Sequence, residues 1–259
     1  MQTVLFHDTV FGPIHSRRLG TSLGINLLPN DGKICTFDCL YCEAGFNSQG
    51  PGTTGFPSRQ QVRTELEEKL KSMKEKGEQL DVITFSGNGE PTLHPDFESV
   101  MDDTVALRDK YFPEVKISVL SNSTRLDNED VVRALHRVDN NILKLDSAIE
   151  RTMRVLDRPN SPAFSVENAA EGIARFGKKA IVQTMFTYGT YEGLTIDNTT
   201  DEEVEALIEI YRRINPGQIM IYSIDRKTPA HDLHRVMPEQ LQQIAERIRT
   251  ATGIPVSVA

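Results

Sequence analysis

Three cysteines, the only ones in the chain, fall within eight residues and carry the clearest capacity for chemistry. Cys35, Cys39 and Cys42 are spaced C-x3-C-x2-C and follow an apolar run at residues 23–28 and a turn-forming stretch at residues 29–32. Three thiolates this close in sequence can bind one small inorganic centre. They do not complete a structural zinc site by themselves, because such a site takes four protein ligands.

The number of cysteines narrows the choice of centre. An ordinary four-cysteine iron–sulfur site is excluded by count, and a disulfide framework would leave one thiol unpaired. The pattern therefore favours a [4Fe–4S] cluster that three cysteines hold, with one iron left open. A histidine such as His7 or His15 would instead complete a Cys3His zinc site, and that alternative stays open.

A second motif, Ser-Gly-Asn-Gly-Glu-Pro at residues 86–91, follows the apolar run at residues 82–85. Together with the cysteine motif, in which Tyr41 precedes the last cysteine, it resembles the radical S-adenosylmethionine (radical SAM) superfamily. Residues 13–24 are similar to the branch that contains the wyosine-base synthases, which modify tRNA, and the NifB-like proteins. The resemblance implies that the cluster reductively cleaves S-adenosylmethionine to a 5′-deoxyadenosyl radical, which abstracts hydrogen from a substrate.

The resemblance also implies cofactor contacts for residues of both motifs. The turn from Gly87 to Glu90 is expected to hold the amino group of S-adenosylmethionine, and Gly89 lets the main chain approach closely. Asn88 stands where the superfamily usually has glycine. Tyr41 is expected to pack near the adenine, with ordinary core packing as the alternative.

Further candidates follow the later predicted strands. Ser121 and Asn122 are expected to reach the ribose or the carboxylate of S-adenosylmethionine, or else to cap a turn. Lys144 and Asp146 are two residues apart on a predicted strand and so share a face. Either they form an internal salt bridge or Lys144 binds the methionine carboxylate.

Residues 225–229, Asp-Arg-Lys-Thr-Pro, follow the last long predicted strand. They resemble an Asp-Arg-x-Thr-Pro stretch of the same branch. Asp225 and Arg226 are therefore candidates for contacts with the substrate, with surface ion pairing as the alternative.

Apolar runs and amphipathic stretches alternate along the chain. The pattern predicts strands at residues 23–28, 80–85, 115–120, 141–145, 180–187 and 218–224, with a short N-terminal strand or hairpin and a possible strand at 254–258. It predicts helices at residues 59–76, 97–111, 129–137, 166–176, 202–214 and 239–250. Such alternation is typical of an α/β protein with a mostly parallel sheet.

The resemblance implies a partial (β/α)6 barrel of the TIM type, open on one side. The dinucleotide fingerprint G-x-G-x-x-G of the competing doubly wound sheet fails, since residue 92 is threonine. One domain is expected over residues 1–259, with an N-terminal extension at 1–22 and a flexible loop at 43–57. The candidate polar groups follow strands, where barrel enzymes carry their chemistry.

The composition of the chain limits the binding partners and the cellular compartment that are expected. The chain has 259 residues and a net charge of −8, and it has no apolar run long enough to span a membrane. Its N-terminus lacks the features of a signal peptide, so the cytoplasm is expected. The acidic balance gives no general attraction to nucleic acid.

Three functions stay open at this point. The first is a radical SAM enzyme that acts on a small molecule or a peptide and takes electrons from a donor such as flavodoxin or ferredoxin. The second is a radical SAM enzyme that modifies a tRNA base. The third is a non-enzymatic α/β protein with a structural Cys3His site. The tRNA alternative needs a basic rim, for which the candidates are Arg17, Arg18, Arg226, Lys227 and Arg235.

Overall fold

The computed structural model describes residues 4–16 and 19–259. These residues form ten strands: β1 (Val10–Ser16), β2 (Gly20–Ile25), β3 (Val82–Phe85), β4 (Lys116–Ser121), β5 (Asn140–Lys144), β6 (Ala180–Tyr191), β7 (Leu194–Asp197), β8 (Gln218–Ser223), β9 (Leu233–Arg235) and β10 (Val256–Val258). They also form seven α-helices: α1 (Arg59–Lys76), α2 (Phe97–Tyr111), α3 (Glu129–Leu135), α4 (Glu150–Leu156), α5 (Val166–Ala174), α6 (Asp201–Ile214) and α7 (Pro238–Thr252). Strands and helices alternate for most of this length.

The sheet is mostly parallel and does not close. Its order is β1-β2-β3-β4-β5-β6-β8-β10, and every neighbouring pair from β2 to β10 is parallel. β1 adds an antiparallel edge next to β2. The prediction of a partial barrel, open on one side, is confirmed.

Helix α1 shows how local sequence sets an element. Ser58 accepts a hydrogen bond from the Gln61 amide at 3.1 Å and so caps the first turn. Gly77 ends the helix in a left-handed conformation, with φ of 65°. The buried residues recur at helical spacing and face the sheet; they are Val62, Leu66, Leu70 and Met73.

The apolar core lies in two places. The larger part fills the layer between the outer helices and the outward face of the sheet. A smaller cluster lies beneath the cysteine loop, where it joins that loop to α4, β6 and the chain after β8. Its buried members are Leu40, Leu156, Met185, Ile196, Ala230 and Leu233.

Helices α1 and α2 have the predicted bounds. The strand predicted at residues 23–28 begins and ends later in the sequence than the strand in the structure. β2 spans Gly20–Ile25, and the chain turns just after it because the Asn26 side chain accepts a hydrogen bond from the Leu28 amide at 3.2 Å. Such a side-chain turn ends a strand whatever the hydropathy of the residues that follow.

Three elements were missed: α4, β7 and β9. α4 has seven residues and β9 has three, too few for a periodic signal. β6 and β7 form a hairpin that extends beyond the barrel strands, and Glu192 and Gly193 at its turn both have positive φ. Residues 43–57 contain one 3-10 turn, Asn47–Gln49, and their predicted flexibility stays a prediction.

Candidate active site

The cysteine loop, residues 33–45, follows β2 and lies at the carboxyl ends of the parallel strands. The turn at residues 86–90 follows β3, Asn122 follows β4, Asp146 follows β5, and residues 224–229 follow β8. Because the strands are parallel, these segments meet at one end of the barrel.

The cysteine loop is joined directly to the Gly-Asn-Gly-Glu-Pro turn. The Ile34 amide donates to the Asn88 carbonyl oxygen at 3.0 Å, and the Glu90 amide donates to the Ile34 carbonyl oxygen at 3.1 Å. Gly89 has φ of 140°, and a Cβ placed on it would lie 1.8 Å from the Ile34 carbonyl oxygen. Only glycine fits there, so the two sequence motifs form a single structural unit.

The other side of the loop is held by the chain at the end of α4. The Leu40 amide donates to the Leu156 carbonyl oxygen at 3.0 Å, and the Asp38 amide donates to the Asp157 carbonyl oxygen at 3.0 Å. The Asn160 amide donates to the Thr36 carbonyl oxygen at 2.9 Å. The helix that sequence reasoning missed therefore positions the loop that carries the cysteines.

A buried lysine, Lys33, lies inside the cysteine loop. Its Nζ donates to the Gly45 carbonyl oxygen at 2.8 Å and is 3.6 Å from a carboxylate oxygen of Asp38. Burial lowers the pKa of Lys33, but the charges of the three cysteines and Asp38 outweigh burial and raise it. The Lys33 ammonium therefore offsets part of the negative charge that the cysteine loop carries when its thiols are deprotonated.

Burial favours the protonated form of two of the thiols, those of Cys35 and Cys39. Burial raises the pKa of Cys35 to about 12, with the Glu90 carboxylate as the next contribution. Burial likewise raises the pKa of Cys39 well above its ordinary value. Binding of a metal centre would release these protons, since the thiolate is the ligand.

The donor set suits a cluster better than a single ion. Each cysteine of a cluster binds a different iron, so its ligands lie farther apart than those of one zinc ion. Among the described residues, no three His, Cys, Asp or Glu side chains are grouped tightly enough for one ion. His7 Nδ1 lies instead 3.0 Å from the Asn30 carbonyl oxygen. His7, one candidate for the fourth ligand of a Cys3His site, is thus engaged with the backbone of Asn30.

Glu90 is buried, and hydrogen bonds hold its carboxylate. One oxygen accepts from the Thr92 amide and hydroxyl at 3.1 and 2.6 Å and from the Ser121 hydroxyl at 2.9 Å; the other accepts from the Asn122 amide at 2.7 Å. Burial raises the pKa of Glu90, although these bonds oppose the rise. Glu90 thus joins the turn after β3 to the end of β4, and its predicted contact with S-adenosylmethionine stays a prediction.

Asn122 reaches the first cysteine. Its Nδ2 donates to the Thr36 hydroxyl at 2.8 Å and lies 3.6 Å from Cys35 Sγ, and its Oδ1 accepts from the Thr124 amide at 3.1 Å. Asn122 therefore has the turn role and also lies next to the first cysteine. Ser121 and Asn122 contact Glu90, and Asn122 also contacts the cysteine loop; their predicted contact with S-adenosylmethionine stays a prediction.

Asn88 has a structural role that the sequence did not reveal. The side-chain amide of Asn88 is fully buried. It binds the backbone of Phe6 and donates to the Pro29 carbonyl oxygen at 2.8 Å. The backbone amide of Asn88 donates to Asn26 Oδ1 at 3.0 Å. Gly87 packs against Asn26, since a Cβ on it would lie 2.3 Å from Asn26 Oδ1. Asn26 and Asn88 together join the N-terminal segment to the glycine-rich turn.

Tyr41, Lys144 and Asp146 form one buried polar network. Lys144 Nζ lies 2.9 Å from Asp146 Oδ2, and the Tyr41 hydroxyl bonds to both groups. Lys144 also lies over the Tyr41 ring, 4.6 Å from its centroid. The internal salt bridge is present, and Tyr41 is more than a packing residue.

Asp157 extends this network to the second cysteine and was missed. The Cys39 thiol donates to Asp157 Oδ1 at 3.6 Å. Burial, and next the charge of Asp146, raise the pKa of Asp157 well above its ordinary value. Its only sequence signal was an acidic residue amid an amphipathic stretch.

Two cavities open beside the cysteine loop. One, of about 860 Å³, reaches Thr36 next to Cys35 and continues over α5. The other, of about 540 Å³, lies between residues 42–45 and the segment after β8. Arg226 lines the second cavity and pairs with Glu43, whereas Asp225 pairs with Arg235 at 3.2 Å. Arg17 and Arg18 lie outside the described residues.

Comparison with known proteins identifies the group to which this architecture belongs. Residues 30–211 match the model of the Radical SAM superfamily. The chain belongs to the radical SAM superfamily. As a radical SAM enzyme, it uses a [4Fe–4S] cluster and S-adenosylmethionine as cofactors.

Curated relatives of this radical SAM chain are similar over most of its length. The UPF0026 protein of Methanocaldococcus jannaschii is 30% identical over 213 residues, which cover 80% of this chain and 61% of that protein. A Brachyspira hyodysenteriae protein named GTPase Obg is 25% identical over 250 residues, which cover 96% of this chain and 35% of that protein. The chain thus spans between about a third and three fifths of these two relatives.

Solved radical SAM structures share the fold. A radical SAM methyltransferase from Sphaerobacter thermophilus superposes with a TM-score of 0.66 at 17% identity, covering 92% of this chain and 65% of that one. Streptococcus suis SuiB bound to S-adenosylmethionine gives 0.64 at 13% identity, with coverage of 91% and 50%. Archaeal TYW1 gives 0.56 at 14% identity, with coverage of 91% and 74%. In the described part of the chain, no helix is long and apolar enough to cross a membrane.

Proposed function

We propose that Cys35, Cys39 and Cys42 bind the [4Fe–4S] cluster and that this enzyme abstracts a hydrogen atom from a small-molecule or peptide substrate. One observation carries the proposal: the loop that holds all three cysteines and the buried Lys33 pairs directly, through the backbone of Ile34, with the Gly-Asn-Gly-Glu-Pro turn. When bound, the cluster and S-adenosylmethionine supply the 5′-deoxyadenosyl radical.

The chain's own residues then hold the ligand loop in place. Lys33 offsets the charge of the thiolates. Glu90 fixes the turn against the end of β4, and Asn122 supports Cys35. The backbone of Gly87 to Glu90 lies beside the first cysteine, where it would face the amino group of S-adenosylmethionine.

Substrate-side roles fall to the segment after β8. Arg226 pairs with Glu43, which follows the last cysteine, and the neighbouring Asp225 pairs with Arg235. Among the described candidates for a basic rim, Arg226 and Arg235 are paired with Glu43 and Asp225, and the net charge of −8 gives no general attraction to a tRNA backbone, which favours a small molecule or a peptide. An external reductant such as flavodoxin or ferredoxin would deliver the electron, and the reaction would be of the oxidoreductase or lyase type.

Anaerobic reconstitution tests the proposal. The protein is loaded with iron and sulfide and reduced with dithionite, and its EPR signal is recorded with and without S-adenosylmethionine. We expect a cluster signal that shifts on addition of S-adenosylmethionine, together with 5′-deoxyadenosine.

The Cys39→Ala variant should lose both signals, whereas Glu75→Gln, an exposed change on α1, should keep both. A wild-type cluster that does not respond to S-adenosylmethionine would refute the proposal. So would a bound zinc ion without sulfide.

A further inference from the structure

The cavity of about 540 Å³ lies between the end of the cysteine loop and the chain after β8. Cys42, Glu43 and Gly45 form one wall, and residues 226–231 form the other. A molecule bound there would lie next to a proposed cluster ligand. This position fits a substrate that must be within reach of the radical.

The second wall is built onto the cysteine loop. The Ala230 amide donates to the Leu40 carbonyl oxygen at 3.2 Å, and the Thr228 hydroxyl donates to the Ala230 carbonyl oxygen at 2.5 Å. Ala230 and Pro229 are buried. The turn from Lys227 to His231 is thus held at a fixed place relative to Cys42.

Only some of the charged side chains on this turn have an ion-pair partner. Arg226 is bound to Glu43. Lys227 and His231 line the same cavity, and within residues 4–16 and 19–259 neither forms an ion pair. The cavity therefore has an excess of positive charge in a chain whose net charge is −8.

We infer that Lys227 and His231 bind an anionic group, a carboxylate or a phosphate, of the small-molecule substrate. The inference rests on the proposed function and specifies the substrate class of that site. Lys227 would bind the anion as a charge and His231 would bind it as a hydrogen-bond donor.

Anion titration of the oxidised, cluster-loaded protein tests the inference. The protein is titrated at constant ionic strength with inorganic phosphate, with acetate and with ethylammonium, which is a cation of similar size. The imidazole NMR signals of His231 are followed during each titration. The signals are assigned with His231→Gln. We expect saturable shifts of the His231 signals with phosphate or acetate and no shift with ethylammonium. If phosphate binds more tightly, the anionic group of the substrate is a phosphate; if acetate binds more tightly, it is a carboxylate.

Variants show whether binding belongs to this cavity. Lys227→Gln should weaken anion binding a few-fold, consistent with loss of one charged contact. Lys71→Gln, on the exposed face of α1, should leave the affinity unchanged. No saturable shift with either anion, or an equal loss in the Lys71 variant, would overturn the inference.

Iron and sulfide content is measured on the same samples. If the wild-type protein binds no cluster, the proposed function fails. The titration of that protein still decides whether the cavity binds anions, so the two failures are distinguishable.

Discussion

The side chain of Asn88 binds the backbone of Phe6 on both of its polar groups. Asn88 Nδ2 donates to the Phe6 carbonyl oxygen at 2.8 Å, and the Phe6 amide donates to Asn88 Oδ1 at 2.9 Å. The residue that departs from the superfamily's usual glycine thus fixes the N-terminal segment against the turn that pairs with the cysteine loop.

The Asn88→Gly variant should release this segment. It removes both hydrogen bonds from the Asn88 side chain to the half-buried backbone of Phe6, whose carbonyl keeps only the longer bond from Asn26 at 3.5 Å, at a cost of about 1–3 kcal/mol. We expect faster hydrogen exchange of the amides at residues 4–8, measured by mass spectrometry, while α1 stays protected. Asn168→Gly, an exposed change inside α5, should lower stability through helix propensity but leave residues 4–8 protected; equal exchange in both variants would contradict the role of Asn88.

The charge of Lys33 should set the reduction potential of the cluster. Lys33→Met removes a buried cation from the cysteine loop, so adding an electron becomes less favourable and the midpoint potential should fall by tens of millivolts. Lys33→Arg keeps the charge and should stay near the wild-type value. A redox titration followed by EPR measures both, and a Met variant that loads a cluster with an unchanged potential would refute this role.

Removal of only one partner of the Lys144–Asp146 ion pair should destabilise the folded protein. Lys144→Met leaves the buried Asp146 carboxylate without its counter-charge, and loss of one partner of a buried ion pair destabilises a fold by about 3–5 kcal/mol. The double variant Lys144→Met/Asp146→Asn removes both charges and should recover part of that loss. Urea unfolding of the two single variants and the double variant gives the coupling energy, and additive losses would show that the pair is not coupled.

Glu203 should make stability fall as pH rises. Burial raises its folded-state pKa above 4.5, although bonds from Thr152 and Ser147 oppose the rise. Below pH 4.5 the folded and unfolded states are both protonated; above it the unfolded state ionises first, so wild-type stability decreases until the pH passes the folded pKa.

Glu203→Gln cannot ionise and should lack this decrease, so its advantage over the wild type grows from pH 4.5 upward. Urea unfolding at several pH values measures it. Glu75→Gln, at an exposed position, should show no such trend, and a constant difference between Glu203→Gln and the wild type would contradict the raised pKa.

The sequence predicted those parts of the molecule whose cause is local. α1 was placed correctly because Ser58, Gly77 and an apolar stripe lie within one short stretch. The cysteine motif and the glycine-rich turn were found for the same reason. Their direct pairing through Ile34 was not predicted, because it depends on the position of Gly89 in the folded sheet.

Roles that depend on distant partners were not predictable. Asp157 contacts Cys39 across 118 residues, and Asn88 contacts Phe6 across 82. Lys33 was missed for the same reason, since its burial and its bond to the Gly45 carbonyl oxygen exist only in the folded loop. Lys144 and Asp146 were found because strand alternation places them on one face.

The backbone hydrogen bonds that hold the cysteine loop also affect the stage of synthesis at which a cluster can be inserted. The ribosome synthesises the cysteines early, but the backbone groups that hold their loop come from Asn88, then residues 156–160, then Ala230. Until that last stretch leaves the ribosome, the ligands lie on a loop that lacks part of its support. Cluster insertion should therefore follow translation of most of the chain, and a nascent chain stalled before residue 230 should be a poor acceptor for iron and sulfide.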